Sequence, residues 1–550
     1  MPTLDWIGKS KVVNHHLDVP YHVLERKYSF DENGQHDEDN GSENMIIHGD
    51  NLIALKSLLP HYEGRIKCVY IDPPYNTGNE NWVYNDNVND TKINEWLGNV
   101  VGKDGDDLSR HDKWLCMMYP RLKLIHRLLS DEGAIFISID DNEITYLRNI
   151  MDEIFGASNF ISQITLKCNP KGRSQDKYFA TSHEYLLVYA KSLPPKGFFS
   201  VLKDEDQIRD EYREDDHDGR GPYRSLELRN THREFGKENR PNLFYPFYVN
   251  ESDGSFSLEK DEVHTIEVLP LWPDGYEGCW TWDKPHSLRD NSYLKAKNTN
   301  GVWKIYRKSY AYEDGEAAKK KLFTIWDNPL FYTEKGQDAF GELFPGTNKN
   351  DFPQPKSVEY VKEAIRTITH DGDIILDSFA GSGTTAHSTL KLNKETDENR
   401  HFILIEREDY ADRITAERAK RVINGYSSEE GAGGNFSYYE LGPELFLGEN
   451  LNESLEVQYI REYIYFTETK SPIPEKDEND VYLLGVHSNN AIYFYYEKDK
   501  LTTLNKDFLA TIKTPAESYT IYADKCTLSD SELERFHIEF KKIPRDIRRF

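Results

Sequence analysis

Apolar residues fall into short runs separated by turn residues along most of the chain. Ile66 to Ile71 is one such run, apolar, β-branched or aromatic at most positions, and it reads as a short buried strand. Met45 to Ile47, Ala134 to Ile139, Phe160 to Leu166, His183 to Ala190, Asp373 to Leu376 and His401 to Ile405 follow the same pattern. Between them the apolar positions recur at helical spacing. Leu52, Leu55 and Leu59 share one side of a helix from Asn51 to Leu59. Leu122, Ile125 and Leu129 mark a helix from Tyr119 to Leu129, closed by Gly133 as a C-cap. Further helices are predicted from an Asp141 cap to Phe155, and over Val358–Ile368, Thr384–Leu392 and Tyr410–Ile423. Strands alternating with helices predict an α/β fold with a mostly parallel sheet.

The alternation is interrupted. Residues 1–44 are polar and irregular, with the acidic run DENGQHDEDNGSEN at 31–44, and are expected to form a mobile arm. A polar loop from Asn76 to Asp112 is expected to be a lid or disordered. Over 195–346 the pattern gives way to Pro, Gly, Trp and charge, which reads as an inserted domain between two halves of the α/β domain, 45–194 and 347–426. The SSEEGAGGN stretch at 427–435 has the composition of a linker. Residues 436–550 then predict a small α+β domain. It has a hairpin of Val481–His487 and Ala491–Tyr496, a strand at Tyr519–Ala523 and a final helix from Ser529 to Lys542.

Composition narrows the class. At 550 residues the chain exceeds one core. No signal peptide or long apolar span is visible, which predicts a soluble cytoplasmic protein. The five cysteines are scattered without CxxC spacing, so neither a zinc site nor a disulfide framework is predicted. A net charge of −27 argues against binding a polyanion over the whole surface. One stretch runs against it: Arg220, Arg224, Arg229, Arg233, Lys237 and Arg240, with Trp272, Trp280, Trp282 and Trp303 downstream. Basic residues interleaved with aromatics fit phosphate contact and base packing. For the basic run, phosphate contact and a solvated face stay equally open; for the tryptophans, a small core is the preferred reading.

Two motifs carry chemistry. After Ile71 comes Asp72-Pro73-Pro74-Tyr75. Two prolines fix two φ angles and remove two donors, so the strand must end there in a stiff loop. That loop holds a carboxylate, a carbonyl and an aromatic ring. Asp72 and the Pro73 carbonyl can accept the two hydrogens of an exocyclic amine while Tyr75 stacks on its ring. The second motif is Asp377-Ser378-Phe379-Ala380-Gly381-Ser382-Gly383-Thr384-Thr385, a strand, glycine turn and helix. Its glycines allow a ligand to approach the backbone, and the helix behind points its amide ends at that ligand. It is neither a P-loop nor GxGxxG. Glu406, at the end of the next strand, is placed to bind both hydroxyls of a ribose. Together these predict a nucleoside-cofactor site.

DPPY followed by FAGSGT resembles the S-adenosylmethionine-dependent amino-methyltransferases of DNA. The order, catalytic motif before cofactor motif, resembles their circularly permuted β-group. GDNLIALKSL, YIDPPYNTGN, WLCMMYPRLKL, DEGAIFISIDDNE, SHEYLLVYAKS and FKKIPRDI resemble the modification subunit of type III restriction–modification systems. The resemblance implies a Rossmann-like methyltransferase fold with an inserted target-recognition domain. It implies that Asp72, Pro73, Pro74 and Tyr75 hold the target base. Asp50 and Asn51 would lie near the cofactor's adenine and Glu406 at its ribose. Asp377, Phe379, Ala380, Gly381, Gly383 and Thr384 would line its methionine side. Lys356, in Phe352-Pro353-Gln354-Pro355-Lys356, would touch the methionine carboxylate; Ser357 stands where the family has a second proline. On the local pattern alone, Asp50 reads first as a helix N-cap. The implied activity is adenine-N6 methylation of double-stranded DNA by base flipping, with no metal. The implied partners are DNA, a second copy of the chain and a restriction subunit. Cytosine-N4 methylation, and a non-catalytic DNA-binding subunit that keeps the pocket, are the alternatives.

Overall fold

The computed structural model describes residues 3–76, 106–172, 176–313, 315–346, 352 and 354–545. The central feature is an 11-stranded sheet. Its strands are β1 (His22–Asp31), β2 (Gly34–His36), β3 (Met45–His48), β4 (Ile66–Ile71), β5 (Leu129–Ile139), β6 (Phe160–Lys167), β7 (His183–Ala190), β8 (Ile325–Trp326), β9 (Ile374–Asp377), β10 (His401–Glu406) and β11 (Phe436–Glu444). Their order in space is β8-β6-β7-β5-β4-β9-β10-β3-β11-β1-β2. From β5 through β11 every neighbouring pair is parallel. Strands β7 and β1 run the other way.

The inner strands are apolar at successive positions because both faces are covered, the usual state of a parallel sheet. Ile47, Val69, Ile71, Ile135, Ile137, Ile403 and Ile405 face Leu55, Leu58 and Leu59 of helix α1 (Asn51–Tyr62), and Trp114, Leu122 and Ile125 of helix α2 (Asp106–Leu128). Their neighbours Ile46, Phe402 and Leu404 face the opposite side. There they meet Ala386 and Leu390 of helix α3 (Thr384–Thr396), together with Val422 and Ile423.

Helix α1 connects β3 to β4, yet these strands are not neighbours. Between them lie β9 and β10, supplied from much later in the chain. Leu376 pairs with Val69, Asp377 with Leu404, and Glu406 with His48. The carboxyl ends of β4, β9, β10 and β3 therefore stand side by side. In open α/β sheets this edge is where ligands bind.

Several sequence expectations are corrected. Residues 1–44 are not a mobile arm. Lys9–Val12 and His15–Asp18 are short helices, and β1 pairs along β11. Val23, Tyr28 and Phe30 are buried, and Tyr28 stacks on Tyr438 with ring centroids 5.0 Å apart. The charged run Glu25-Arg26-Lys27 interrupts the alternation that marks a strand. Nor does a separate unit begin at Phe436, because β11 is a strand of the main sheet. Gly133 lies inside β5, where a Cβ would sit 2.8 Å from the Ile66 carbonyl oxygen, and α2 passes straight into that strand. The helix after β5 starts at Ile144, and Asp141 accepts a hydrogen bond from Tyr185 instead of capping it (2.9 Å). The last helix stops at Arg535. His537, at φ 52°, turns the chain into a strand, Ile538–Lys542, parallel to Ser518–Ala523. The loop expected from Asn76 to Asp112 gives way to α2 at Asp106; residues 77–105 lie outside the described residues.

The hairpin of Leu483–His487 and Asn490–Phe494 turns through Ser488 and Asn489, both at positive φ (49° and 61°), the geometry of a type I′ turn.

Ser200–Leu322 forms a second compact unit. In it Val302–Tyr310 pairs with Leu294–Thr299 and Tyr223–Glu227. A smaller sheet joins Phe247–Val249 to Phe256–Ser257 and Ile266–Val268. Trp280, Phe247, Val249 and Ile305 are its core, with Trp282 and Trp303 packed against them.

Candidate active site

Strand β4 delivers Asp72 to the carboxyl edge, and the following prolines hold the loop. Trp114 of α2 is fully buried and donates its indole N–H to the Pro74 carbonyl (2.7 Å). Among the described residues nothing hydrogen-bonds the Pro73 carbonyl. Tyr75 is fixed through its hydroxyl, which donates to Glu184 Oε2 (3.0 Å) and accepts from Lys356 Nζ (2.6 Å). Lys356 Nζ lies 2.9 Å from both Glu184 oxygens, 3.4 Å from Asp72 Oδ1 and 4.7 Å from the centre of the Tyr75 ring. Burial pushes the Asp72 carboxyl up to about 6, with Glu184 acting the same way and Lys356 opposing. Burial alone would lower the Lys356 ammonium, but Asp72 and Glu184 outweigh it and hold it charged.

Asn76, at φ 54°, ends the loop. Its amide N–H groups reach the Arg110 carbonyl (3.3 Å) and Glu143 Oε1, which His111 Nδ1 also approaches (2.6 Å). Burial pushes Glu143 up to about 7.

On the neighbouring strand, Asp377 is buried and folds the glycine turn. Its Oδ1 accepts from the Phe379 amide (3.0 Å) and its Oδ2 from the Thr385 hydroxyl (2.5 Å). Gly381 and Gly383 take φ of 53° and 79°. A Cβ on Gly383 would lie 2.9 Å from the Thr415 carbonyl oxygen, so only glycine fits. Helix α3 starts directly behind, at Thr384. Glu406 ends the next strand, 1% exposed, accepting from the amides of Gly381 (2.7 Å) and Glu408 (2.9 Å). Burial pushes its carboxyl, like that of Asp377, up to about 7, against the lowering effect of those amides.

These groups suit a nucleoside carrying a charged amino-acid tail. Ser378 Oγ is buried without a hydrogen-bond partner among the described residues. Helix amides face the turn, and Glu406 is an acceptor of the kind that can bind a vicinal diol, alongside the two amides it already takes.

Asp50 caps α1, accepting from the amides of Leu52 (2.8 Å) and Ile53 (3.4 Å), which fits the local reading of the sequence. Asn51 differs from the expectation of ligand contact. It is 1% exposed, with its amide donating to the Ser378 carbonyl (2.7 Å) and accepting from Arg121 (2.6 Å). It ties the β3–α1 turn to the glycine motif. Asp377 likewise spends its oxygens shaping the turn. Lys356 sits among Asp72, Tyr75 and Glu184, on the DPPY side, and not at the N-terminus of α3. Phe379, Ala380 and Thr384 line the turn as buried residues. The sequence reading missed Glu184 and Trp114. Glu184 lies near the start of β7, an acid beside a buried strand. Trp114 looks like any core aromatic.

In the second unit the basic run is locally paired. Arg220 meets Asp218 (2.6 Å), Arg224 meets Glu211 (2.6 Å), Arg229 meets Glu227 (3.0 Å), Lys237 meets Glu277 (2.8 Å) and Arg233 meets Asp274. Arg240 lies over Phe235. Arg229 is buried, its guanidinium 4.1 Å from the Trp272 ring centre; the other pairs are partly or well exposed, and such pairs are worth about 0–1 kcal/mol. Arg220, Arg224, Trp282, Tyr293, Arg307 and Tyr310 line a groove of about 670 Å³. Arg307, on the central strand of that sheet, is exposed and makes no ion pair among the described residues.

The N6/N4 DNA methylase family model matches residues 66–417. The EcoPI Mod subunit of a type III restriction–modification enzyme, from Escherichia phage P1, is 31% identical over 426 residues, 74% of this chain and 64% of that relative. The chain thus spans a little under two thirds of that relative's length. The type II methyltransferase M.KpnI of Klebsiella pneumoniae is 34% identical over 67% of this chain and 81% of its own length. A DNA modification methylase from Thermus thermophilus, solved with S-adenosyl-L-methionine, aligns at 13% identity over 72% of this chain and 99% of that one, with a TM-score of 0.31. The matched stretch holds the Asp72–Tyr75 loop, the glycine turn and Glu406, and the chain belongs to the family of N6/N4 DNA methylases.

Proposed function

We propose that this protein transfers a methyl group from S-adenosylmethionine to N6 of an adenine in double-stranded DNA, as the modification subunit of a type III restriction–modification system. The observation that carries the reading is the adjacency of strands β4, β9 and β10. It sets the amine-accepting Asp72 and Pro73 beside the glycine turn and Glu406, though the chain separates them widely. The similarity to the EcoPI Mod subunit supports the type III assignment.

The cofactor, when bound, supplies a methyl group on a sulfonium, already a good leaving group. Glu406 would accept from its ribose hydroxyls, and the amides behind Gly381 and Gly383 would face its carboxylate. Asp72 and the Pro73 carbonyl accept the two amine hydrogens of the target base, which turns the nitrogen lone pair out of the ring's conjugation. On taking up the methyl the amine would give up one proton, for which Asp72, hydrogen-bonded to it, would be an acceptor. The base must leave the duplex to reach this loop, at a cost of a few kcal/mol that stacking on Tyr75 offsets in part. The rest of the rate comes from positioning and from aligned acceptors in a poorly solvated site.

Two outcomes follow. Protonated Asp72 is a poorer acceptor, so kcat/KM for DNA should rise with pH through about 6 and then level off. A pH profile flat from 5 to 8 would remove Asp72 from that role. In the second unit, Arg307→Ala should weaken DNA binding about two- to tenfold and lower the slope of log K against log salt by about 1. An unchanged slope would show that the groove does not meet phosphate.

Expression in a methylation-deficient host, followed by methylation-sensitive sequencing, tests the reading. Modified adenine at one short recurring sequence, lost with Asp72→Ala, is expected. The restriction subunit and a homodimer belong to the same proposal, testable by co-purification and by molar mass in solution.

A further inference from the structure

We propose that Lys356 reads the ring nitrogen beside the target amine, with Glu184 as the positioning residue that aims it. This rests on the methyltransferase reading above. A DNA base with an exocyclic amine presents a donor next to an acceptor: in adenine N6 lies beside N1 on one edge and N7 on the other. The complement is an acceptor next to a donor. Asp72 Oδ1 and Lys356 Nζ form such a pair, 3.4 Å apart, at the carboxyl end of β4. They arrive from distant segments, and Glu184 of β7 joins them. Its two oxygens hold Nζ at 2.9 Å each, and Oε2 also takes the Tyr75 hydroxyl proton. One carboxylate thereby fixes both the donor and the aromatic ring on which the base stacks.

The ammonium itself covers Asp72 Oδ1, which is buried without a hydrogen-bond partner among the described residues. A base reaches that oxygen only as Nζ turns from Asp72 along its contact with Glu184. That small rotation aims an ammonium N–H at the base and leaves Asp72 Oδ1 open to the amine. The site then rewards an amine that has an acceptor beside it. Thymine has no amine. The pattern is shared by adenine and cytosine, so Lys356 selects the amine-bearing edge and not one base over the other.

The alternative is a lysine that only neutralises two carboxylates. Duplexes carrying adenine, 1-deazaadenine or 7-deazaadenine at the target position separate the two. Single-turnover rates and Kd are measured for the wild-type enzyme, Lys356→Met and Glu184→Gln, with cofactor binding as the check on folding. The wild type should lose about tenfold to a hundredfold on whichever analogue lacks the nitrogen that Lys356 reads. Lys356→Met should slow adenine by a similar factor and be indifferent to that same analogue. Glu184→Gln should fall between. If the wild type treats both analogues as adenine, or if Lys356→Met slows all three duplexes equally, the proposal is overturned. Should Lys356→Met fail to bind cofactor, the wild-type discrimination between analogues decides alone. If the wild type places no methyl on the adenine duplex, the methyltransferase reading itself has failed.

Discussion

Asp72→Ala is expected to lower methyl transfer by about 10²–10³-fold while leaving the Kd for S-adenosylmethionine within about twofold. The reasoning is geometric. Asp72 stands at the end of β4, braced by its prolines and by the Trp114 bond to Pro74, so the loop keeps its shape when the carboxylate goes. The glycine turn and Glu406 hang from β9 and β10 and are held by Asp377, Asn51 and Arg418, none of which depends on Asp72. The loss should therefore appear in kcat and not in cofactor affinity. Removing Asp72 also removes one of two carboxylates facing Lys356, so Asp72→Asn, which keeps shape and one acceptor oxygen, should lose less. A variant that transfers methyl at near wild-type rate would remove Asp72 from the reaction. One that loses cofactor binding in equal measure would make it a structural residue.

Glu406→Gln should weaken cofactor binding by about 10- to 150-fold, because a hydrogen bond to an ionised acceptor contributes about 1.5–3 kcal/mol. The pH dependence supplies the sharper test. Burial raises the Glu406 carboxyl to about 7. A ligand that donates two hydroxyls favours the ionised form, so wild-type affinity should climb as pH rises through about 7 and flatten above it. In Glu406→Gln that dependence should vanish, leaving whatever Asp377 contributes. Asp377 is raised to about the same value, but its oxygens are spent on Phe379 and Thr385, so it should show in stability more than in affinity. Isothermal titration from pH 6 to 8.5 reads the wild type and Glu406→Gln. A wild-type affinity independent of pH would place the ribose elsewhere.

The inner sheet was legible because parallel strands buried on both faces carry unbroken apolar runs. Ile66–Ile71 and His183–Ala190 agree with the structure residue for residue, and His401–Ile405 extends only to Glu406. The Asp72–Tyr75 loop and the glycine turn were legible for a different reason: prolines and glycines at fixed offsets leave the backbone few alternatives. What sequence could not give was neighbourhood. Nothing local in SHEYLLVYA tells that Glu184 will meet Lys356, since that contact depends on β7 lying beside β5 and on the segment before Val358 crossing the carboxyl edge. The same holds for β1 and β11, whose charged residues break the apolar pattern of a strand; each is held by its sheet neighbours, β11 between β3 and β1 and β1 between β11 and β2. The stop at His537 is a backbone event, a single left-handed residue inside a stretch whose composition favours helix. In the second unit the basic residues were visible, but of the acids that pair with them only Glu227 lies in the run; Glu211, Asp218, Asp274 and Glu277 lie outside it, so the net charge of the surface could not be read from the run itself.

Methyl transfer to an exocyclic amine of DNA is proposed to take place at the edge formed by β4, β9 and β10. The most direct measurement is to incubate the purified protein with unmethylated genomic DNA and methyl-tritiated S-adenosylmethionine, digest the DNA to nucleosides and identify the labelled one. Label is expected in N6-methyldeoxyadenosine and absent with Asp72→Ala. Label in N4-methyldeoxycytidine would keep the site and overturn the base. DNA without label, from protein that binds the cofactor, would rule out methyl transfer at this edge.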